Sequence, residues 1–221
     1  MQWPTLIVDD FFTDPHAIVK LSKTFKYQKA KDIPGTRTSP LHEIDNPFFQ
    51  WSTRKIISLL YPSQIADSRE YFDVKWQASQ YFQRVPFNTY GKEGWIHSDR
   101  GDEFTAIIYL SEHPNSGTCL YEGKYFDSNP TPEYEEEKRR FNMELTDLNR
   151  MEKYREKNNS RFRKKVELFS TFNRLVLYDG AHWHASRNDN KSKSDRLTLI
   201  TFFNDVTCKN IRYPITQMRR I

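Results

Sequence analysis

The sequence predicts a mainly β protein with helices, an α+β chain whose β body follows N-terminal helices and is interrupted by a charged helical arm. Three observations predict it. From Tyr71 to Leu120 the chain becomes a series of short runs rich in aromatic and β-branched residues joined by turns, and the texture returns from Arg174. Before Tyr71, apolar residues recur at helical spacing. Between about Tyr125 and Lys165 the chain is charged and nearly free of β-branched residues, which is a helical composition.

Leu6, Ile7 and Val8 read as an opening strand. Thr13 or Asp14 can cap a helix whose first turn accepts Pro15, and Ile18, Leu21 and Phe25 share one face of it. Asp32 to Pro40 is rich in turn residues. A second helix is predicted from Asn46-Pro47, carrying Phe49, Ile56, Ile57 and Leu60 and closed by Pro62. YFDVKWQASQYFQRV alternates as a strand, Gly91 and Gly94 mark a turn, DEFTAIIYLSE forms the next strand, and TCLYEG starts a third after the turn HPNSGT. In the charged arm, acids gather early (Glu133, Glu135, Glu136, Glu137) and bases late (Arg161, Arg163, Lys164, Lys165), an order that suits a helix dipole. Phe141, Leu145 and Leu148 give it one thin apolar stripe. RLVLYDG, AHWHAS and RLTLITFFND then resume the strands, and no internal repeat is present.

The 221 residues suit one domain over residues 1–221, with residues 125–165 as a helical insertion within it. Hydrophobic residues make up only 37% and mean hydropathy is −0.84, yet aromatics reach 15%, so a core can be built from few, large side chains. The longest strongly apolar stretch, near Phe104 to Leu110, falls far short of the ~20 residues that a membrane-spanning helix needs. Acidic residues directly follow the apolar stretch at the N-terminus, which argues against a secretory leader. Two cysteines, Cys119 and Cys208, make neither a disulfide scaffold nor a cysteine zinc site, so a cytoplasmic setting is expected. A net charge of +5 is too mild to imply a nucleic-acid partner.

The chemistry concentrates in a few polar residues. His97 and Asp99, in WIHSD, have the i, i+2 spacing that turns both side chains to one side of an extended segment and lets them hold adjacent positions on a metal. His184, far downstream in VLYDGAHWHAS, is a third candidate ligand. Two histidines and one carboxylate on one face leave positions open, as non-haem iron oxygenases require. His182 is the rival, because it has the same parity as His184. Arg196 and Thr198, again i and i+2, face one way, and a guanidinium there can grip a carboxylate with two parallel hydrogen bonds. The interleaved Leu197, Leu199 and Ile200 are expected to pack in the core.

These motifs, taken in order, resemble the Fe(II)/2-oxoglutarate-dependent dioxygenases, in particular the prolyl-4-hydroxylase-like branch. QYFQRVPFNTYGKEGWIHSD is similar to that family's strand, glycine turn and His-x-Asp, and FTAIIYLSE to its next core strand. SGTCLYEG is similar to its Gly-Gly-x-Thr-like turn, with Ser116 where many members have glycine. RLVLYDGAHWHAS resembles the strand that delivers the second histidine, and the three residues after Asp179-Gly180 in that motif make His184 the match. RLTLITFF resembles the Arg-x-Ser/Thr strand, and the opening LIVDDFFTDP also fits the branch. The resemblance spans most of the chain outside residues 125–165.

The resemblance implies a double-stranded β-helix, or jelly roll. It implies Fe(II) held by His97, Asp99 and His184, and 2-oxoglutarate as cosubstrate with its distal carboxylate on Arg196 and Thr198. It implies O2 as oxidant and oxidative decarboxylation coupled to hydroxylation of a C–H bond. Tyr109 is expected to border the cosubstrate, with Tyr81, Tyr90 and Trp95 as further aromatic candidates. Two departures bear on the substrate. Prolyl hydroxylases often have lysine where Arg196 stands, so their substrate does not carry over. Phe202 stands where the nucleic-acid demethylases have a second arginine, which counts against that branch. The substrate expected is a peptide side chain or a small metabolite. The competing readings are a cupin-like binding module without turnover and, on the basic run Arg161 to Lys165 and the basic end MRRI, a nucleic-acid-modifying oxygenase.

Overall fold

Two antiparallel sheets face each other in a computed structural model that describes residues 3–29, 33–61, 74–86, 93–99, 101–113, 115–123, 136–138, 148–187 and 194–208. The elements run β1 (Leu6–Val8), α1 (Pro15–Ser22), β2 (Gln28–Lys29), β3 (Thr36–Arg37), α2 (Leu41–Ile44), α3 (Asn46–Leu60), β4 (Val74–Val85), β5 (Phe104–Tyr109), β6 (Gly117–Gly123), α4 (Leu148–Asn159), β7 (Phe162–Phe169), β8 (Leu175–Asp179), β9 (Trp183–Arg187) and β10 (Arg196–Cys208). The larger sheet has the order β1-β8-β5-β10-β4-β3-β2 and the smaller one β7-β6-β9. This is the jelly-roll arrangement with N-terminal helices that the motifs imply.

The helices start where their caps require. Asp14 accepts a hydrogen bond from the amide of Ala17, and Asp45 accepts one from Phe48, each just before a proline in the first turn. The apolar faces of these helices cover one side of the larger sheet. Ile18, Phe49, Ile56, Ile57 and Leu60 pack there with Phe82, Phe104, Ile108, Leu197, Leu199 and Phe203. The opposite side of the sheet faces the smaller one, and Tyr109, Val176 and Tyr178 meet Leu120 and Leu168 between them.

Three expectations change. Ile200 is as buried as Leu197, but alternation along β10 turns it away from the cluster of Leu197 and Leu199 to the inner side, where it lines a cavity. The turn-rich stretch before Pro40 contains a short hairpin, β2–β3, that extends the sheet at β4. Gly35 makes this possible: its φ is +74°, and a Cβ would lie 1.9 Å from the carbonyl oxygen of Arg84. The end of the charged arm is also a strand. Arg161 closes the turn after α4, and β7 then pairs with β6 from Phe162↔Gly123 to Phe169↔Gly117. Its lysines and arginines suit an edge strand that is mostly exposed and gains its place from the ladder and buried Leu168. Pro62, Tyr71, Tyr90, Gly91, Phe141 and Leu145 lie outside the described residues, as do Glu133, Glu135 and the basic end. No helix among the described residues is long and apolar enough to cross a membrane.

Candidate metal centre and adjoining cavity

The segment before β5 runs beside β9, and this places the histidines. His97 and His184 exchange both backbone hydrogen bonds, His97 N to His184 O at 2.9 Å and His184 N to His97 O at 2.7 Å. Residues opposite each other in an antiparallel pair turn their side chains the same way. The two imidazoles accordingly stand side by side, with ring centres 4.4 Å apart. Asp99 is brought in by its own amide, which donates to Gly180 O at 2.9 Å. Glycine is required at 180, because a Cβ there would lie 2.2 Å from Asp102 O and 3.0 Å from Asp99 O.

One ligand atom from each of His97, Asp99 and His184 lies within 4.8 Å of the others. Asp99 Oδ1 is 3.6 Å from His97 Nε2, and Asp99 Oδ2 is 3.4 Å from His184 Nε2. Both Nδ1 atoms are tied to backbone carbonyls, His97 to Trp95 O and His184 to His182 O, each at 2.9 Å. A carbonyl can only accept, so each Nδ1 carries a proton and each Nε2 is turned towards Asp99. That fixed tautomer is how metal-ligating histidines are oriented. Burial, and then the neighbouring His184, push His97 down to about 3, which keeps the imidazole neutral and ready to donate its lone pair. Burial raises the Asp99 carboxyl, but His184, His97 and a hydrogen bond from Thr105 Oγ1 at 2.8 Å outweigh it, and Asp99 stays an anion. The donor set is therefore two imidazole nitrogens and one carboxylate, which fits a divalent iron with positions left open. His182 falls in the turn before β9, and its contribution is the carbonyl that orients His184.

The three groups line a cavity of about 260 Å³ between the sheets. Arg196, Thr198, Ile200 and Phe202 of β10 line it from the larger sheet, as alternation predicts. In register, Arg37 of β3 lies opposite Gln83 of β4, Gln83 opposite Thr198 of β10, and Thr198 opposite Tyr109 of β5. All four line the cavity, so they form one polar row across the sheet. The hydroxyls of Tyr109 and Thr118 share a hydrogen bond of 2.8 Å, and burial raises the Tyr109 phenol, which stays neutral. Arg196 Nη1 donates to Gly117 O at 3.3 Å. Glycine at 117, with φ +155°, lets β6 lie close against β7, because a Cβ would lie 2.0 Å from Leu168 O.

The structure thus brings together His97, Asp99, His184, Arg196, Thr198 and Tyr109, and adds Trp95 to the same wall. Tyr81 is not among the lining residues, and its ring packs against Arg37 and Phe202 instead. Arg37, Gln83, Thr105, Thr118 and Tyr178 were not singled out from the sequence. Only tertiary contacts reveal them, although parity with Thr198 along paired strands is the signal that would find Gln83.

Over residues 1–203 the sequence matches the family described as Family of unknown function (DUF6445). No curated protein matches it in sequence. Among solved structures it is similar to HygX from Streptomyces hygroscopicus with nickel and 2-oxoglutarate bound, at 13% identity and a TM-score of 0.56, covering 95% of this chain and 85% of that one. It is similar to SnoN, the non-heme alpha ketoglutarate dependent epimerase from nogalamycin biosynthesis, at 10% identity and a TM-score of 0.53, covering 92% of this chain and 78% of that one. EvdO2 from Micromonospora carbonacea var. aurantiaca is a further match, at 10% identity and a TM-score of 0.50, covering 95% of this chain and 90% of that one. At these identities the likeness establishes the shared fold.

Proposed function

The chain belongs to DUF6445, a family of unknown function, and from its own residues we propose that it is an Fe(II)- and 2-oxoglutarate-dependent oxygenase. One observation carries the reading. The His97, Asp99 and His184 cluster opens on the same cavity as Arg196 and Thr198, so a metal site and a carboxylate grip share one space. That HygX was crystallised with nickel and 2-oxoglutarate bound, on a similar fold, supports it.

His97, Asp99 and His184 would hold the iron through Nε2, a carboxylate oxygen and Nε2. A bound iron supplies oxygen activation, by which one substrate C–H, 2-oxoglutarate and O2 become an alcohol, succinate and carbon dioxide. The chain's own part is positioning and exclusion of water. The backbone carbonyls of Trp95 and His182 hold the imidazole tautomers, and Thr105 holds the Asp99 carboxylate. The guanidinium of Arg196 would pair with the distal carboxylate of 2-oxoglutarate, and the Thr198 hydroxyl would add a donor. Tyr109 and Thr118 close the wall beside it. The prolyl-hydroxylase-like motifs define this machinery rather than a prolyl substrate.

A nucleic-acid substrate is disfavoured by the arm itself. Arg161 pairs with Glu137, Arg163 and Lys165 with Glu122, and Lys164 with Glu93 and Glu167. Each of these bases has a carboxylate beside it, which weakens the pull of this run on a phosphate backbone.

The test is metal and cosubstrate binding by calorimetry together with succinate release. The reading expects Mn(II) binding to the wild-type chain, 2-oxoglutarate binding that depends on the metal, and Fe(II)-dependent succinate formation. Metal affinity unchanged in His97→Ala and Asp99→Ala would overturn it. Tight 2-oxoglutarate binding with no turnover against peptide, amino-acid and small-metabolite pools would favour the binding-module reading.

A further inference from the structure

Arg37 has no task in the reaction proposed above, yet the fold invests several contacts in holding it. Its Nε donates to Gln83 Oε1 at 3.0 Å. Gln83 Nε2 in turn donates to Pro34 O at 3.0 Å, which decides which end of the amide faces the arginine. The guanidinium carbon lies 5.4 Å from the centre of the Tyr81 ring and 5.2 Å from that of Phe202, so two aromatic side chains brace it. These contacts use Nε and the faces of the group. Its terminal nitrogens make no hydrogen bond or ion pair with any described residue, and the side chain lines the cavity. Burial lowers Arg37 to about 10, still well above neutral pH, so the group remains a cation.

The charge balance of the cavity points the same way. Its lining carries Arg37, Lys138 and Arg196 against one carboxylate, Asp99. A divalent metal and the 2-oxoglutarate dianion cancel each other, and two positive charges remain. Partly buried charge without a counter-ion is costly, so an anion is the ligand that completes the cavity. The terminal nitrogens of a braced guanidinium form a planar fork that matches the two oxygens of a carboxylate.

We propose that Arg37 binds a carboxylate of the substrate, so that the substrate class is a small molecule or residue side chain carrying its own carboxylate in addition to the C–H that is oxidised. This rests on the oxygenase reading and deepens it. Arg196 anchors the cosubstrate, and Arg37, three positions along the same polar row from Tyr109 and on the other side of Thr198, anchors the substrate.

The test uses trifluoroacetate as a generic carboxylate probe, followed by fluorine NMR on full-length protein loaded with Mn(II) and saturating 2-oxoglutarate. The expected result is saturable binding to the wild type, with no binding of the neutral trifluoroacetamide. Affinity for the probe should fall about ten-fold or more in Arg37→Gln, the loss expected for one charge-assisted pair, and Arg37→Lys should restore part of it. Calorimetry with 2-oxoglutarate reports whether the variants still fold and load, and there Arg37→Gln should match the wild type within about two-fold. The proposal is overturned by a loaded wild type with no saturable probe site, by a probe affinity that Arg37→Gln leaves unchanged, or by an Arg37→Gln variant that loses 2-oxoglutarate instead. Displacement of the probe by inorganic phosphate at lower concentration than by acetate would overturn the carboxylate class. A wild type that binds neither Mn(II) nor 2-oxoglutarate overturns the oxygenase reading and this proposal with it, whereas intact loading without a probe site removes only the role of Arg37.

Discussion

The two faces of the larger sheet come from the same strands and do opposite things. On the outer face, Phe82, Phe104, Ile108, Leu199 and Phe203 are completely buried against the N-terminal helices, with Phe82 stacked on Phe25 and Phe48. On the inner face, one residue away in each strand, stand Gln83, Tyr109, Arg196 and Thr198. The outer face gains stability from apolar burial. The inner face places polar groups where burial alone would destabilise them, and holds them with specific partners. Stability and chemistry are thereby separated by the two-residue period of a strand, and a substitution should act on one or the other according to its parity.

Substitutions at the metal centre should give the largest effect on binding and little on folding. His184→Ala and Asp99→Ala are expected to weaken Mn(II) binding by more than about 100-fold, beyond what loss of an outer partner causes, with calorimetry as the measure. Their metal-free melting temperatures should stay close to the wild-type value, and a collapse of the fold would break the separation. The mirror experiment is Phe82→Ala, on the outer face. It should lower stability by about 3–5 kcal/mol in urea unfolding, the range for deleting a buried phenylalanine. Below its melting temperature that variant should keep metal affinity within about three-fold, an effect smaller than one hydrogen bond. Arg196→Gln comes next, with metal binding kept and 2-oxoglutarate affinity reduced about 10- to 100-fold, as for a lost charge-assisted pair.

The smallest effect concerns pH. Burial, and then the charge of Asp99, raise the Asp102 carboxyl to about 6, against a hydrogen bond from Asn204 that lowers it. A raised acid binds its proton more tightly folded than unfolded, so its favourable contribution is present below about pH 3.8 and is lost as pH rises towards 6. Asp102→Asn should therefore gain on the wild type between pH 4.5 and pH 7.5, by under about 1 kcal/mol because the group is half in solvent. A thermal-melt series across that range checks it, and an opposite sign would mean that the Asn204 contact governs.

Much of the site was legible because strand parity is written in sequence. The pair His97 and Asp99 and the pair Arg196 and Thr198 have the i, i+2 spacing, and both pairs face one cavity. Parity failed where it was ambiguous. It could not separate His182 from His184, which the start of β9 at Trp183 decides by leaving His182 in the turn. Composition failed for β7, whose Lys164 and Lys165 read as a helical arm, because an edge strand takes its place from its neighbour's free backbone groups rather than from its own side chains. It failed again for Arg37, in a stretch with no hydrophobic period at all.

The sequence by itself determined which residues could face together along one strand, and that N-terminal helices and a β body would form, since both follow from local periods of two and 3.6 residues. The tertiary structure alone decided which strands lie next to each other. Register across β3, β4, β10 and β5 aligns Arg37 with Tyr109, and the bridge between His97 and His184 spans 87 residues of chain. Such pairings are set by long-range hydrogen bonding and by glycines at 35, 117 and 180 that let backbones meet within distances a Cβ would forbid. No local pattern encodes a partner that far along the chain.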